Sequence, residues 1–380
     1  MPLDPIELTR DLVRCPSVTP DAGAALELCA RALEAAGFAC TRLDFPGALG
    51  TVPNLVATVG RGRPHLVLNG HLDTVPVGDR ARWTVDPWGG LIRDARLYGR
   101  GAADMKSGVA AMIAAACDFV AAHGRPQGRL SLMLTGDEEG PAIDGSARLV
   151  AWAVAQGMAP DACLVGEPTS REVLGDLAKI GRRGSLTARL VVSGRQGHTA
   201  YPQRADNAAH RLVAMLGSLL AMRLDEGTPW FEPSNLQIAS IDVGNPASNV
   251  IPGEARAVLN IRFNDQHSGA QLEQRLRSLL EAIGGRFELE VAIGAEPFRT
   301  EEGPLTRTLA AAVEAVTGRS PRFDCSGGTS DARFFAKVCP VVELGLPGPT
   351  LHQVDEYVVV DDIAGLAAIY RVFLERYLAP

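Results

Sequence analysis

The order of apolar runs and helices is the feature that most restricts the fold of this chain. Up to about residue 180, helical stretches such as "MKSGVAAMIAAACDFVAAHG" alternate with short apolar runs such as "HLVLNG", "RLSLMLTGD" and "ACLVGEP". These runs carry few polar residues, as expected for strands covered on both faces. Helices are predicted at 5–14 and 22–36, the second ended by Gly37. The alternation predicts an α/β fold with a mostly parallel central sheet.

A different pattern interrupts the first one between residues 181 and 295. Its first predicted strand, "SLTARLVVSG", alternates more regularly between polar and apolar residues than the earlier strands, and the helix that follows, "RADNAAHRLVAMLGSLLAMR", is amphipathic. The order strand, helix, strand, strand, helix, strand is typical of a ferredoxin-like α+β domain. From residue 296 the first pattern returns, with helices near 304–317 and 361–377. We therefore expect one α/β domain formed by residues 1–180 and 296–380, with an inserted α+β domain at 181–295.

Composition and charge exclude several classes of protein. The chain has 380 residues, which favours two domains, and its net charge of −7 argues against nucleic acid or an anionic membrane as the main partner. The N-terminal residues do not resemble a signal peptide, and no apolar stretch is predicted to span a membrane. Seven scattered cysteines, without a C-x-x-C pair, indicate reduced thiols and a cytoplasmic location.

Acidic and histidine side chains follow the predicted strands of the first domain. Because the active groups of open α/β sheets gather beyond the carboxyl ends of the strands, we expect these side chains to lie together. Such a cluster would repel itself without a cation, and imidazoles with carboxylates suit Zn²⁺ or a neighbouring divalent metal. The candidate residues are His71, Asp73, Asp104, Asp137, Glu138, Glu139, Glu167 and His352.

Several motifs carry a family resemblance. "NGHLDTVP", "LYGRGAADMKSG", "TGDEEG" and "VGEP" resemble the motifs of the di-zinc amidohydrolases and exopeptidases, which include acetylornithine deacetylase, aminoacylase and carboxypeptidase G. "GDLAKIGRRGSLTARLVVSGRQGHTAYPQRADNAAH", "SNVIPGEARAVLNIRFN" and "GGTSDARFF" more closely resemble the succinyl-diaminopimelate desuccinylase branch of that family. The likeness extends through essentially the whole chain. It implies a zinc-peptidase-like catalytic domain that holds two metals, and an inserted domain that serves as lid and homodimer interface.

The resemblance also implies a ligand set for two divalent metal ions per subunit. One ion is expected on His71 and Glu167, and the other on Glu139 and His352, with Asp104 bridging both. Zinc is the expected metal, and the ligand set also suits cobalt or manganese at the second position. The peptide bond after the bridging aspartate, Asp104–Met105, is expected to be cis.

Three further residues receive roles from the resemblance. Glu138 is expected to be the general acid/base that activates the water between the metals, with a pKa well above that of a free glutamate. Asp73 is expected to hold the imidazole of His71 in its ligating tautomer. His198 is expected to donate to the oxyanion from the inserted domain of the partner subunit.

Arginines of the inserted domain indicate which substrate the protein recognises. Arg182, Arg183 and Arg262, with Ser185, are expected to recognise several carboxylates, because guanidinium pairs with carboxylate in a bidentate manner. N-succinyl-L,L-2,6-diaminopimelate carries three carboxylates, whereas N-acetylornithine carries one, so hydrolysis of the succinylated substrate in lysine and peptidoglycan precursor synthesis is expected. The resemblance adds further substrate contacts, which are Tyr201, Asn249, Gly328, Thr329 and Ser330.

Two alternatives remain open at this point. An acetylornithine deacetylase, or a related N-acyl amino acid deacylase, would use the same metals and mechanism on another substrate. A metal-free binding protein on the same scaffold would be expected to lack one of the ligand or acid/base residues, and none is missing from the sequence.

Overall fold

The computed structural model describes residues 2–379, which fall into two compact units. The first unit comprises the residues up to 180 together with 299–324 and the residues from 330 onward. The second unit comprises residues 181–298 and 325–329. The division differs from the predicted segments at 296–298 and at 325–329, which lie with the second unit. The catalytic role of one domain and the lid and dimerisation role of the other stay predictions.

The described residues contain nineteen strands and nine α-helices. The strands are β1 (Ala39–Gly47), β2 (Gly50–Arg61), β3 (His65–His71), β4 (Leu91–Arg93), β5 (Arg96–Tyr98), β6 (Gly128–Thr135), β7 (Ala162–Val165), β8 (Leu177–Lys179), β9 (Gly181–Arg182), β10 (Gly184–Ser193), β11 (Gly197–His198), β12 (Asn235–Asp242), β13 (Val250–Ile251), β14 (Glu254–Phe263), β15 (Arg286–Ala295), β16 (Phe298–Arg299), β17 (Arg322–Asp324), β18 (Val341–Glu343) and β19 (Tyr357–Val359). The helices are α1 (Pro5–Val13), α2 (Gly23–Ala35), α3 (Ser107–His123), α4 (Ser146–Ala155), α5 (Ala208–Leu220), α6 (Gly269–Ile283), α7 (Pro304–Thr317), α8 (Ala332–Phe335) and α9 (Val360–Leu378).

The first unit contains a mixed eight-stranded sheet. Its strand order is β1-β2-β6-β3-β7-β18-β8-β17, and the four neighbouring strands β6, β3, β7 and β18 are parallel. This confirms the α/β fold class with a parallel centre. Strand β1 was not predicted, because it is a half-exposed edge strand with polar residues, paired antiparallel to β2. A separate three-stranded sheet of β4, β5 and β19 was also not predicted.

Helix α3 occupies the core of the first unit. Its first ten residues are all buried, which explains why "SGVAAMIAAA" carries almost no polar side chain. The helical stretch Ala102–His123 meets the length and composition of a membrane-crossing helix, but 72% of its apolar window is buried inside the protein, as in core helices of soluble proteins. An irregular turn, Ala102–Lys106, leads into α3 and carries Asp104.

The second unit has the predicted order β10-α5-β12-β14-α6-β15. Its antiparallel sheet has the strand order β12-β14-β10-β15, which is the ferredoxin-like arrangement. Alternate residues of β10 and β14 form one apolar layer with leucines of α5 and α6, among them Leu190, Leu259, Leu212 and Leu276. Each helix begins at a side-chain cap, which is Asn207 for α5 and Ser268 for α6.

Candidate active site

The ends of the four parallel strands bring predicted site residues of the first unit together. His71 is the last residue of β3 and pairs with Thr135, the last residue of β6. Val165 ends β7 and pairs with Glu343, the last residue of β18. Because the four strands end at about the same level, the loops that follow them meet at one edge of the sheet. These loops carry Glu138, Glu139, Glu167 and His352.

Two histidines and the carboxylate of Asp104 form the centre of this cluster. The Nε2 atom of His71 lies 3.1 Å from Asp104 Oδ1 and 3.8 Å from Glu167 Oε1. The Nε2 atom of His352 lies 3.3 Å from Asp104 Oδ2 and 2.9 Å from Glu139 Oε1. Asp104 thus contacts one imidazole through each carboxylate oxygen. The Asp104–Met105 peptide bond is cis, as the family resemblance implied.

The donor set fits divalent metal ions. Ligand atoms of His71, Glu138 and Glu167 all lie within 4.8 Å of one another, and so do those of His71, Asp104 and Glu139. Two overlapping groups of this kind, made of imidazole nitrogens and carboxylate oxygens without a thiolate, match the ligands that zinc and its neighbours prefer. Several carboxylates gathered at a largely buried site also require positive charge among them.

The hydrogen bonds of His71 present its Nε2 atom to the cluster. Nδ1 lies 2.9 Å from the backbone carbonyl oxygen of Asp73 and 3.5 Å from its Oδ1. Because a carbonyl oxygen only accepts, Nδ1 carries the proton, and the neutral ring offers its lone pair at Nε2. The Asp73 carboxylate itself accepts from Thr19 Oγ1 at 2.6 Å and from the amides of Glu138 and Glu139 at 3.0–3.2 Å. Asp73 therefore also fixes the loop that carries both glutamates.

Burial and neighbouring charges shift the pKa values of the acidic groups in opposite directions. The pKa of Glu138 is raised to about 8, chiefly by burial; the charge of His71 opposes this rise, and the charges of Asp331 and Glu139 add to it. This direction was predicted for a general acid/base. Burial also acts to raise the pKa of Asp104, but hydrogen bonds with His352 and His71 outweigh it and hold that pKa well below its usual range.

The pKa values of both imidazoles are raised when no metal is bound, which favours their charged forms. Burial opposes the charged form of His71, but hydrogen bonds to Asp104 and Asp73 outweigh burial and raise its pKa well above the ordinary value. Hydrogen bonds to Asp104 and Glu139 raise the pKa of His352 to about 10. A metal ion binds only a neutral imidazole, so it must displace these protons.

Metal binding at neutral pH is therefore expected to release protons. Below pH 10, the apparent affinity should rise with pH by about tenfold per unit for each proton displaced. Calorimetric titration of metal-free protein in buffers with different ionisation enthalpies measures the number released. Binding at pH 7 without proton release would contradict the raised pKa values of the two imidazoles in the metal-free protein.

The predicted arginines lie together within the second unit. Arg182 is buried and donates from Nη1 to the carbonyl oxygen of Gly328 at 3.0 Å. Arg183 Nη1 lies 3.1 Å from Glu232 Oε2. Arg262 pairs across β14 and β10 with Ser185. Burial, and secondarily the positive charge of Arg183, lower the pKa of Arg262. Partly buried positive charges that act on each other in this way favour an anionic ligand.

His198, Tyr201 and Asn249 form a second group in that unit. His198 pairs with Val250 between β11 and β13, and the amide of Thr199 donates to the carbonyl oxygen of Asn249 at 3.0 Å. The His198 and Tyr201 rings meet edge to face with centroids 5.7 Å apart. His198 Nδ1 accepts from the amide of Ala200 at 3.0 Å, so the neutral ring carries its proton on Nε2. That proton is available for donation because His198 is exposed.

Ser330 is the one predicted substrate contact of the GGTS loop that lies in the first unit, and its contact with substrate stays a prediction. Its side chain is buried in the first unit, and its hydroxyl lies 3.0 Å from Glu343 Oε1. Gly328 and Thr329 belong to the second unit.

Sequence reasoning did not assign roles to three buried residues of the first unit. Asp331 lies within the quoted motif "GGTSDARFF", and burial raises its pKa to about 6. Arg100 and Glu356 form a buried ion pair beside the Asp104 turn, with Nη1 and Oε2 2.7 Å apart. Their positions in "GRGAAD" and "HQVDEY" are close to metal-ligand candidates, which is the signal that could have found them.

Comparison with known proteins identifies the family. Residues 67–376 match the model of peptidase family M20/M25/M40, and the chain belongs to that family. The chain is 55% identical over 378 residues to a succinyl-diaminopimelate desuccinylase of Rhodospirillum centenum, covering 99% of this chain and 98% of the relative. It is 52% identical over 373 residues to the desuccinylase of Gluconacetobacter diazotrophicus, covering 98% and 97% of the two chains. These relatives confirm the resemblance drawn from the motifs.

Solved structures share the fold at low sequence identity. An M20 family metallo-carboxypeptidase from Sulfolobus solfataricus superposes with a TM-score of 0.79 at 16% identity, covering 98% of this chain and 99% of that one. A dinuclear metal-binding M20 peptidase from Bacillus subtilis superposes with a TM-score of 0.73 at 17% identity, covering 98% and 96%. These structures therefore share the fold of this chain.

Proposed function

We propose that this protein is a metal-dependent hydrolase that cleaves N-succinyl-L,L-2,6-diaminopimelate to succinate and L,L-2,6-diaminopimelate. The observation that carries the proposal is the full-length similarity, at 49–55% identity, to succinyl-diaminopimelate desuccinylases. The clustered ligands at the strand ends and the arginines of the second unit support it. The product serves lysine and peptidoglycan precursor synthesis, and a cytoplasmic location agrees with seven free cysteines.

Five residues are proposed to hold two metal ions, zinc in the first instance. His71 and Glu167 hold one, Glu139 and His352 hold the other, and Asp104 lies between the two imidazoles. When bound, the metals supply Lewis-acid polarisation of the amide carbonyl and lower the pKa of a water molecule. Cobalt or manganese suits the second position equally by ligand type.

Glu138 is proposed to move the proton during the reaction. Its carboxylate takes a proton from the attacking water and delivers it to the amine nitrogen that leaves. The loop that carries it is fixed by the two amide hydrogen bonds to Asp73. The Glu138 carboxyl loses its own proton more readily beside bound cations, which counteracts the effect of burial.

The arginines of the second unit are proposed to recognise the carboxylates that distinguish the succinylated substrate. Arg262 on β14 is the most direct test, because Arg256 lies on the same strand but is 63% exposed and pairs with Glu254. Arg262→Gln is expected to lower kcat/KM for N-succinyl-L,L-2,6-diaminopimelate by about 10–100-fold, since a charge-assisted hydrogen bond contributes about 1.5–3 kcal/mol.

The same change should alter hydrolysis of N-acetylornithine much less, because that substrate lacks the extra carboxylates. Arg256→Gln serves as the matched control and is expected to leave both activities unchanged. Equal losses on both substrates in Arg262→Gln would contradict the role in carboxylate recognition and would favour the alternative of a deacetylase with another specificity.

Homodimerisation through the second unit is proposed, with His198 acting on the active site of the partner subunit. The Nε2–H of His198 and the exposed apolar side chains Val213, Leu220 and Ile241 support this arrangement. Mixing two inactive variants, Glu138→Gln and His198→Ala, is expected to restore part of the activity, because each mixed dimer then contains one intact site. Failure to restore activity in verified mixed dimers would contradict action in trans.

A further inference from the structure

The loop that carries His352 is joined to the turn that carries Asp104 by one buried ion pair. Glu356 is fully buried, and its carboxylate accepts four hydrogen bonds, two at each oxygen. Oε2 accepts from Arg100 Nη1 at 2.7 Å and from the amide of Gly101 at 3.1 Å. Oε1 accepts from the amides of Ala103 at 2.8 Å and Asp104 at 3.2 Å. Each lone-pair direction of the carboxylate is thus directed at the Asp104 turn or at Arg100.

The Asp104 turn needs these acceptors because its backbone is irregular. Asp104 and Met105 have φ/ψ values outside the helical region, so the amides before α3 cannot bond within a regular helix. Buried amides without partners cost free energy, and Glu356 supplies the acceptor for three of them. The carboxylate therefore determines where the backbone of Asp104 lies.

Arg100 connects the same carboxylate to the His352 loop. Its Nη2 lies 3.4 Å from the carbonyl oxygen of His352, while its Nη1 bonds Glu356. His352 has a φ of 60°, a left-handed conformation that non-glycine residues adopt at a cost. A hydrogen bond to its carbonyl oxygen helps to hold that conformation, and with it the direction of the imidazole. One ion pair thus contacts the backbone of two proposed ligands.

We infer that Glu356 and Arg100 are positioning residues that set the geometry of the two-metal site by fixing the Asp104 and His352 backbones relative to each other. Neither side chain ligates a metal; both act through the ligands. The inference rests on the proposed function for the presence of metals. Groups that hydrogen-bond to metal ligands and orient them typically contribute about 10–100-fold to metal affinity.

The two residues are expected to affect the two metal positions differently. In Glu356→Gln, the new side-chain NH₂ group faces a backbone or guanidinium donor and cannot accept its hydrogen bond. The backbone of Asp104, a proposed ligand at both metal positions, is disturbed as a result. The substitution should weaken both metal affinities by about 10–100-fold. Arg100→Lys keeps a positive charge beside Glu356, but a single ammonium group does not reproduce the second hydrogen bond, from Nη2 to the His352 carbonyl oxygen. It should therefore lower mainly the metal affinity of the position formed by Glu139 and His352.

A matched control lies in the second unit. Asp225 is another buried carboxylate, 3% exposed, that accepts from the amides of Gly227 and Ser234 at 2.7 and 3.1 Å and from Asn264 Nδ2 at 2.6 Å. Asp225→Asn makes the same chemical change as Glu356→Gln and should lower thermal stability while leaving both metal affinities unchanged.

The test is titration of metal-free full-length protein with Co²⁺, followed by visible absorption and by calorimetry, for the wild type and the three variants. Thermal unfolding of each metal-free form records stability separately. Wild-type affinities in folded Glu356→Gln, or equal losses in Asp225→Asn and Glu356→Gln, would overturn the inference. If Glu356→Gln does not fold, the Arg100→Lys variant provides the test. Wild-type affinity at both metal positions in that variant would overturn the inference. A wild-type protein that binds no metal would instead refute the proposed function.

Discussion

Replacing Glu138 with glutamine is expected to lower kcat on N-succinyl-L,L-2,6-diaminopimelate by about 10²–10⁴-fold, the usual contribution of a positioned general acid/base. Glutamine keeps the shape of the side chain but cannot take the proton from water or return it to the leaving amine. Because Glu138 is not among the proposed ligands, the variant should still bind two metal ions. Steady-state kinetics with metal analysis of the same samples measures both quantities.

Glu7→Gln provides the control for this substitution. Glu7 lies on the exposed face of α1 with its side chain 55% exposed, and it pairs only with its helical neighbour Arg10 among the contacts described. Its replacement should change neither kcat nor metal content. If Glu138→Gln lost one metal equivalent, Glu138 would be a ligand, in agreement with its place beside His71 and Glu167, and the proposed role would be wrong.

Replacing Asp104 with asparagine is expected to reduce metal binding and activity together. Asp104 contacts His71 through Oδ1 and His352 through Oδ2, so asparagine removes the charge from both positions at once. Metal content should fall from two ions to one or none. Activity should fall by at least about 10³-fold, since the metals contribute several kcal/mol to lowering the barrier.

Asp94→Asn is the corresponding control, because Asp94 is 87% exposed in the turn between β4 and β5 and asparagine tolerates its φ of 51°. Two bound metals in Asp104→Asn, with activity near that of the wild type, would contradict a bridging position for Asp104. Metal content is measured after exchange into metal-free buffer, so that weakly held ions are removed.

Most of the regular elements could be predicted from local sequence because buried helices and strands consist mainly of apolar residues. Helix α3 lies in the core and is almost wholly apolar, and β3 is buried along its whole length. Strand β1 could not be predicted in this way, since an edge strand exposes polar residues and reads as a loop. The short β19 depends on pairing with β5, more than 250 residues earlier, which local patterns do not contain.

The candidate ligands could be found because the chemistry restricts their residue types and the parallel strands restrict their places. His71 ends one strand and Glu167 follows another strand of the same sheet, and both lie in motifs that resemble those of the family. The positions of Glu356 and Arg100 near ligand candidates could have drawn attention to them, but their hydrogen bonds could not be predicted, because these depend on the irregular backbone at Asp104. The hydrogen bonds of the Asp73 carboxylate with Thr19 and the Glu138 amide could not be predicted either, because these partners lie 54 and 65 residues away in sequence.

The measurement that tests the central claim most directly is the rate of amine release by zinc-loaded protein from two substrates side by side. N-succinyl-L,L-2,6-diaminopimelate is compared with N-acetylornithine, and metal-stripped protein is the blank. The account predicts a kcat/KM at least about 100-fold higher for the succinylated substrate, from one or more charge-assisted contacts to its additional carboxylates. Equal rates, or preference for N-acetylornithine, would contradict the proposed substrate and the role of the arginines.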